Sequence, residues 1–261
     1  MNFHQLSEYI EYLVFSKHRR GHGIHSPMAY DLVSRVFRNK MRPDIVLRIE
    51  MIRKRLLKDH TKIRINDLGA GKTRRSKQRK VSEIARYSAI NKKYGKLLFN
   101  LASEFGKTSI LELGTSFGIS SMYMAASSPD STVYTIEGCS ECSAVAAENF
   151  REAGLTNIIQ LTGSFDTILP EVIKKRIKPG LIFIDGNHRK EPTLKYFSDL
   201  IESIDGEIVL VIDDIHYSKE MSEAWETIKY SDNVSATIDI YRMGIVFIRS
   251  NITRNHYRIR Y

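Results

Sequence analysis

Residues 110–125 read ILELGTSFGISSMYMA, and the fold class follows from this stretch. A short apolar strand runs into a turn that contains Gly114 and Gly118, and a helical pattern follows the turn. Glycines at such a turn let the backbone pass close beneath a ligand and adopt φ angles that other residues avoid. The N-terminus of the following helix presents N–H groups that suit a carboxylate or a phosphate. The stretch therefore predicts a binding turn between a strand and a helix.

An acidic residue, Glu137, ends the next predicted strand and stands 25 residues after Glu112. A carboxylate in this position can accept hydrogen bonds from both hydroxyls of a ribose. The strand, the Gly-x-x-x-Gly turn and the second-strand acid together predict a nucleoside site. The glycine-containing segment Asn66–Gly71 also follows an apolar piece, but a basic run rather than a helix comes after it, so it is the weaker candidate.

Short apolar runs alternate with helical stretches from residue 109 onward. Five runs rich in Ile, Val and Leu recur at intervals of about 22–28 residues, which leaves room for one helix in each interval. Two further runs are separated by only two residues and are predicted to form an antiparallel hairpin. The predicted class is α/β, with a Rossmann-like, seven-stranded, mostly parallel sheet, an antiparallel last strand and helices on both faces. The predicted strands are 109–113, 132–136, 157–161, 181–185, 208–213, 234–241 and 244–249.

The first 108 residues differ in charge from the rest. They hold 25 of the 40 Lys and Arg residues and 9 of the 30 Asp and Glu residues, so this segment is basic and the remainder is acidic. We therefore predict a basic, mainly helical N-terminal extension over 1–108 and a ligand-binding domain over 109–261. The basic run near 69–80 predicts a mobile loop, because like charges repel and these side chains cannot be buried. Helices are predicted over 3–16, 27–38, 43–59, 81–90 and 92–105.

Composition and charge indicate which partners the protein can attract and which classes of protein are excluded. A basic segment attracts phosphate, nucleic acid or an anionic lipid surface, and it also serves as a solvated face that keeps a protein in solution. Apolar runs such as IVLVI at 208–212 are far shorter than the roughly 20 residues of a membrane span. The N-terminus lacks the pattern of a signal peptide, so a cytoplasmic protein is expected. Cys139 and Cys142 cannot make a disulfide framework.

Five motifs occur at the ends of successive predicted strands. In chain order they are ILELGTSFGIS, Glu137, Gly163-Ser164, Asp185 and Asp213-Asp214. In this order, residues 109–249 resemble the class I S-adenosylmethionine-dependent methyltransferases. The chain is most similar to the metal-dependent small-molecule O-methyltransferases of the catechol type, and as a whole to a bacterial branch with its own N-terminal extension.

The resemblance implies S-adenosylmethionine as the cofactor. It implies that Ser120 holds the methionine carboxylate, that Glu137 binds the ribose and that Ser164 lies beside the adenine. Residues 109–261 are accordingly expected to form the S-adenosylmethionine-binding domain. The full set of predicted cofactor-binding residues is Glu112, Gly114, Ser116, Gly118, Ser120, Glu137, Ser164 and Asp185.

Three carboxylates, those of Asp185, Asp213 and Asp214, follow neighbouring predicted strands at the sheet edge where open α/β folds bind ligands. Such a set suits Mg²⁺ or Ca²⁺, which would lower the pKa of a bound substrate hydroxyl. The family has asparagine at the third ligand position, where this chain has Asp214. The alternative is that Asp213 and Asp214 cap the next helix.

A catalytic base is implied three residues after Asp185, where the family has a lysine and this chain has His188. Histidine titrates near neutral pH and can accept a hydroxyl proton directly. The predicted catalytic residues are therefore His188 and Asp185. Lys190 and His216 are weaker candidates, and a loop histidine without catalytic function is the alternative for His188.

The expected function is O-methylation of a small hydroxylated molecule, either with or without the help of a metal ion. If the basic segment selects the substrate, we expect that molecule to be acidic. One rival is an RNA ribose methyltransferase that uses the basic segment, and the other is a non-catalytic cofactor-binding protein. The fourth predicted strand lacks the Asn/Asp-Pro-Pro-aromatic turn of base-amine methyltransferases, since it ends in Ile184-Asp185-Gly186-Asn187. A small-molecule partner is expected first and nucleic acid second, with no membrane span, and a homodimer stays open.

Overall fold

The computed structural model of the chain describes residues 3–16, 24, 26–39, 43–65, 77–249 and 253–261. Within these ranges the structure has ten α-helices, a short 3-10 helix at Val36–Arg38 and ten strands. The α-helices are α1 (Phe3–Phe15), α2 (Pro27–Ser34), α3 (Pro43–Leu56), α4 (Val81–Ser88), α5 (Lys92–Phe105), α6 (Ile119–Ser127), α7 (Ser140–Ala153), α8 (Phe165–Lys174), α9 (Lys190–Ser203) and α10 (Lys219–Lys229). The strands are β1 (Lys62–Ile65), β2 (Lys77–Lys80), β3 (Ser109–Leu113), β4 (Thr132–Glu137), β5 (Ile158–Thr162), β6 (Leu181–Ile184), β7 (Ile208–Asp213), β8 (Val234–Asp239), β9 (Met243–Ile248) and β10 (Asn255–Arg258).

The predicted alternation of strands and helices is present. Each of the seven predicted strands occurs within two residues of its expected bounds, as β3 to β9. The five predicted N-terminal helices occur as α1 to α5, with the 3-10 helix completing the second of them. Strands β2 and β10 were not predicted, and β1 contains the apolar, strand-like piece that precedes Asn66. None of the described helices is long and apolar enough to cross a lipid bilayer.

The chain divides into two compact units. One comprises Met1–Asn39 with Gly180–Tyr261, and the other comprises Lys40–Pro179. The division predicted between residues 108 and 109 stays a prediction.

In the unit formed by Lys40–Pro179, strands β3, β4 and β5 lie side by side and parallel. All five residues of β3 are buried, as expected for a strand that is covered on both faces. The register pairs Leu113 with Ile136 and Glu137 with Thr162. The carboxyl ends of β3 and β4 are therefore adjacent, and the turn after β3 lies next to Glu137.

The same unit contains an antiparallel pair, β1 and β2, which corrects the prediction of a mobile loop near 69–80 for its last four residues, 77–80. Residues 66–76, and with them the Asn66–Gly71 segment, lie outside the described residues. Residues 77–80 form a strand, in which Arg79 pairs with Ile63 of β1. Ile63 is buried while the side chains of Gln78 and Arg79 are exposed, so the strand keeps its charge in water and still pairs its backbone.

In the unit that contains Gly180–Tyr261, the strand order is β10-β8-β9-β7-β6. Strands β6 and β7 are parallel, and β9 is antiparallel to both β7 and β8, as the hairpin prediction required. The prediction that the antiparallel strand is the last one is wrong, because β10 follows it and pairs parallel with β8. Trp225 packs in the core, where a Cβ on Gly244 would lie 2.4 Å from its ring.

Candidate functional site

The turn after β3 folds back onto the end of β4. The N–H groups of Gly114 and Thr115 both donate to the Ile136 carbonyl, at 3.0 and 3.2 Å, and the Gly118 N–H donates to the Thr115 carbonyl at 2.8 Å. Gly114, Ser116 and Gly118 have φ angles of 110°, 47° and 78°. These left-handed conformations explain the two glycines and place the N-terminus of α6 at the carboxyl end of β3.

Gly118 is the cap residue of α6 and has no room for a side chain. A Cβ there would lie 2.3 Å from the Phe150 ring, in addition to the strain of its positive φ. The neighbouring Asn149 side chain donates to the Phe117 carbonyl at 2.8 Å. Helix α7 thus packs against one side of the turn and stabilises its conformation.

A buried carboxylate, Glu112, lies beneath the turn. It accepts hydrogen bonds from the hydroxyls of Ser120 at 2.5 Å, Thr135 at 2.6 Å and Ser121. The Thr135 hydroxyl also shares a hydrogen bond with Thr115, at 2.5 Å. The Glu112 carboxylate therefore connects β3, the first turn of α6 and β4. Its predicted contact with the cofactor stays a prediction, and the contacts seen here support the turn.

Glu137 ends β4 and bridges two backbone segments. Its Oε2 accepts from the Ser116 N–H at 2.7 Å, and its Oε1 accepts from the Cys139 N–H at 2.8 Å. The side chain is partly exposed, and each oxygen has a further lone pair that can accept a ribose hydroxyl. Burial raises the pKa of Glu137, and the two backbone donors counteract it.

Two further predicted cofactor residues have defined local contacts. The Ser120 hydroxyl is nearly buried and directs its proton to Glu112. Ser164 caps α8 by accepting from the Thr167 N–H at 3.3 Å. Their contacts with S-adenosylmethionine stay predictions. Ser88 was not predicted from the sequence: helix α4 brings its hydroxyl to 2.7 Å from the Ser116 hydroxyl, and no motif marks it.

The predicted acidic residues lie in the other unit, at the carboxyl ends of β6 and β7. Asp185 follows β6, Asp213 is the last residue of β7, and Asp214 begins the next loop with a φ of 54°. The Nε2 atom of His188 is 3.4 Å from Asp185 Oδ1. We call the carboxylates of Asp185, Asp213 and Asp214 the acidic cluster. The negative charges of Asp185 and Asp214 add to burial in raising the pKa of Asp213.

A cation that sequence reasoning missed, Arg242, joins the acidic cluster. Its Nη2 donates to Asp213 Oδ2 at 2.7 Å and its Nε donates to Asp213 Oδ1 at 3.0 Å. The Nε atom is also 3.8 Å from Asp214 Oδ1. Arg242 lies in the turn between β8 and β9, and it reaches Asp213 because β9 pairs with β7 opposite that residue.

A divalent cation does not fit this arrangement. Both oxygens of the fully buried Asp213 are engaged by the Arg242 guanidinium. Among the residues that the structure describes, no group of three or more His, Cys, Asp or Glu side chains is arranged to hold a metal ion. The geometry therefore gives the predicted Mg²⁺ or Ca²⁺ site no support.

Charge and burial compete within the acidic cluster. Burial would lower the pKa of His188, but the hydrogen bond and charge of Asp185 outweigh it and raise the pKa to about 9. Burial raises the pKa of Asp213, and the Arg242 guanidinium counteracts it. At neutral pH His188 is therefore mainly protonated, and it accepts a proton only at higher pH or after Asp185 moves away.

The weaker base candidates have other partners. Lys190 Nζ is 2.8 Å from Glu223 Oε2. The buried His216 lies between Glu8 and Asp239, at 3.1 and 3.0 Å. These contacts give both residues a structural explanation.

Comparisons with known proteins show what this chain is similar to. Residues 111–215 match the family model described as a methyltransferase domain. This segment is therefore similar to methyltransferase domains. The resemblance to class I S-adenosylmethionine-dependent methyltransferases, and among them to the catechol-type O-methyltransferases, is thereby confirmed.

A catechol O-methyltransferase of Niastella koreensis is 37% identical to this chain over 112 residues, which are 42% of this chain and 50% of that relative. The match thus spans half the length of the curated relative. An O-methyltransferase of Bacillus cereus, solved in complex with SAH, has a TM-score of 0.58 at 16% identity and covers 84% of this chain and 95% of its own. An SAH-bound methyltransferase of Podospora anserina has a TM-score of 0.60 at 13% identity and covers 87% and 97%. These likenesses confirm the Rossmann-like α/β class.

Replacing Glu112 with glutamine tests its support of the turn. Glutamine turns one acceptor into a donor that faces hydroxyl donors, so we expect the free energy of unfolding to fall by about 1–3 kcal/mol. Urea unfolding at 25 °C measures it. The control is Glu152→Gln, whose half-exposed carboxylate pairs with Arg55 and should matter by at most about 1 kcal/mol. Equal losses in the two variants would contradict the supporting role.

The His188 imidazole gives a test at the acidic cluster. Because its folded pKa of about 9 lies above the ordinary value of 6.5, the pairing with Asp185 stabilises the fold fully below pH 6.5 and is lost as the pH rises through 9. In Asp185→Asn burial acts without the opposing charge of Asp185, so we expect the pKa to fall towards 6.5 or below. NMR titration of the ring proton, assigned with His188→Gln, measures it. Asp130→Asn, an exposed site, is the control, and an unchanged pKa in Asp185→Asn would refute the pairing.

Proposed function

We propose that this protein is an O-methyltransferase that transfers the methyl group of S-adenosylmethionine to a hydroxyl of a small molecule. The observation that carries the proposal is the turn after β3, held beside the Glu137 carboxylate within the segment that matches the model of a methyltransferase domain. The catechol O-methyltransferase of Niastella koreensis supports oxygen as the acceptor atom.

The cofactor would be held by the elements that surround this turn. Glu137 would accept hydrogen bonds from the two ribose hydroxyls. The N-terminus of α6 would receive the methionine carboxylate at N–H groups that include that of Ser120, because the Ser120 hydroxyl donates to Glu112. Ser164, which caps α8 after β5, would lie beside the adenine. The positive end of α6 favours the carboxylate at this position, and the glycines leave space for the backbone of the turn to approach it.

The transfer itself needs little from the protein beyond position and a proton acceptor. The acceptor oxygen forms a bond with the methyl carbon, the bond from carbon to sulfur breaks, and its electron pair stays on sulfur, which becomes a thioether. The proton of the hydroxyl goes to a base, for which we propose His188 in its neutral form. With a pKa of about 9, His188 would make the transfer faster as the pH rises towards that value.

We further propose that the acceptor is acidic. Basic residues dominate the first 108 positions, and exposed cationic side chains such as Lys54 and Arg79 occur among the described ones. Positive potential raises the local concentration of anionic ligands. The comparisons favour neither the RNA methyltransferase nor the non-catalytic protein. Divalent metal assistance is not part of the proposal.

Two measurements test the function. Calorimetry should show binding of S-adenosylmethionine. Transfer of a labelled methyl group should be detected with a panel of catechols and phenols. In this panel each phenol that carries a carboxylate is matched by its neutral amide. Transfer with a preference for the carboxylates is expected. An absence of cofactor binding would overturn the whole proposal, and equal rates for acid and amide would overturn the acidic acceptor alone.

Glu137→Gln tests the ribose contact. Glutamine keeps the shape of the side chain but replaces two charge-assisted acceptors by a single neutral one, so we expect the affinity for S-adenosylmethionine to fall by about 10- to 100-fold. Calorimetry measures it, and Glu148→Gln, an exposed site on α7, should bind as the parent does. Parental affinity in Glu137→Gln would remove this residue from the site.

A further inference from the structure

The acidic cluster already contains a resident cation. Asp213 is fully buried, and the Arg242 guanidinium binds both of its carboxylate oxygens in the bidentate geometry of the strongest side-chain ion pairs. The same guanidinium lies 3.8 Å from Asp214. It therefore touches two of the three carboxylates that the sequence would assign to a metal.

The backbone holds Arg242 in this place. The Arg242 carbonyl accepts from the Ile215 N–H at 3.2 Å, immediately after Asp213 and Asp214. The Arg242 N–H donates to the Ile240 carbonyl at 3.0 Å, which closes the tight turn between β8 and β9. A main-chain hydrogen bond thus joins the turn to the loop after β7. This contact holds the Arg242 side chain close to the Asp213 carboxylate.

Electrostatics makes the guanidinium and a metal ion alternatives. A divalent cation needs oxygen ligands at about 2.0–2.6 Å, and both Asp213 oxygens that could supply one already accept hydrogen bonds from Arg242. A metal ion beside the guanidinium would also repel it at short range in a partly buried setting. Removal of Arg242, conversely, would leave a buried carboxylate without a counter-charge, which is strongly unfavourable unless another cation replaces it.

We propose that Arg242 takes the place of a divalent metal ion at the acidic cluster, so that this protein binds no such ion there and carries out its methyl transfer without one. The guanidinium supplies a fixed positive charge at every pH in which the protein is folded. The second half of the proposal, metal-free transfer, rests on the proposed function, whereas the first half is a property of the cluster alone.

Binding of Mn²⁺, followed by electron paramagnetic resonance, tests the first half without any substrate. We expect the parent protein to leave the signal of hydrated Mn²⁺ unchanged up to about 1 mM. Arg242→Gln removes the charge and frees Asp213, so it should bind one Mn²⁺ at least about tenfold more tightly than the parent, and Arg242→Gln combined with Asp213→Asn should lose that binding. Arg151→Gln, an exposed site on α7, should behave as the parent.

Two outcomes would overturn the proposal. One is a parent protein that binds one Mn²⁺ well below 1 mM, with Asp213→Asn abolishing the binding. The other is a folded Arg242→Gln protein that binds no more Mn²⁺ than the parent, because Arg242 would then not be what excludes the ion. The parent titration decides the first outcome even if the variant fails to fold.

Methyl transfer measured with EDTA, with Mg²⁺ and with neither tests the second half. We expect rates that agree within about twofold, and a loss of transfer in EDTA that Mg²⁺ restores would overturn it. If no acceptor is methylated under any condition, the proposed function fails, while the Mn²⁺ titration still decides whether Arg242 occupies the cluster.

Discussion

The buried Glu112 carboxylate is the interaction on which the binding turn depends. Its hydroxyl donors come from β4 and from the first turn of α6, so one side chain sets the distance between three elements. In a medium of low dielectric constant such hydrogen bonds are strong, and an unmet one is costly. The start of α6 is therefore fixed, and the left-handed residues Gly114, Ser116 and Gly118 follow from the need to reach it within a short turn.

A second buried carboxylate, that of Asp213, is stabilised by a cation rather than by neutral hydrogen-bond donors. Glu112 is surrounded by neutral hydroxyls, whereas Asp213 has a full positive charge beside it. The difference matters for chemistry, because neutral donors hold a backbone in place while a guanidinium also sets the local potential. Glu112 and Asp213 thus each organise the loop that follows their strand, one in each unit.

What the sequence could predict was local. The strand–turn–helix pattern around Gly114 and the acid at Glu137 are read within short windows, because period and turn chemistry are properties of neighbouring residues. Arg242 was missed because it reaches Asp213 only through the antiparallel pairing of β9 with β7, and no spacing in the sequence records that register. Strand β10 was missed for a related reason: its first two residues, Asn255 and His256, are exposed and polar, so the segment lacks the apolar run of a buried strand.

The basic N-terminal segment also has a role that its charge alone did not reveal. Arg55 donates to the Asn149 side chain at 2.7 Å, and Asn149 in turn donates to the Phe117 carbonyl within the binding turn. Ser88 contacts the turn from α4 through Ser116. Part of the positive charge in the first 108 residues is therefore used inside the unit, where it positions α7 against the turn. Since such residues are already engaged, attraction of an anionic acceptor would have to come from the cations that stay exposed, and loss of Arg55 would weaken the turn rather than the recruitment of substrate.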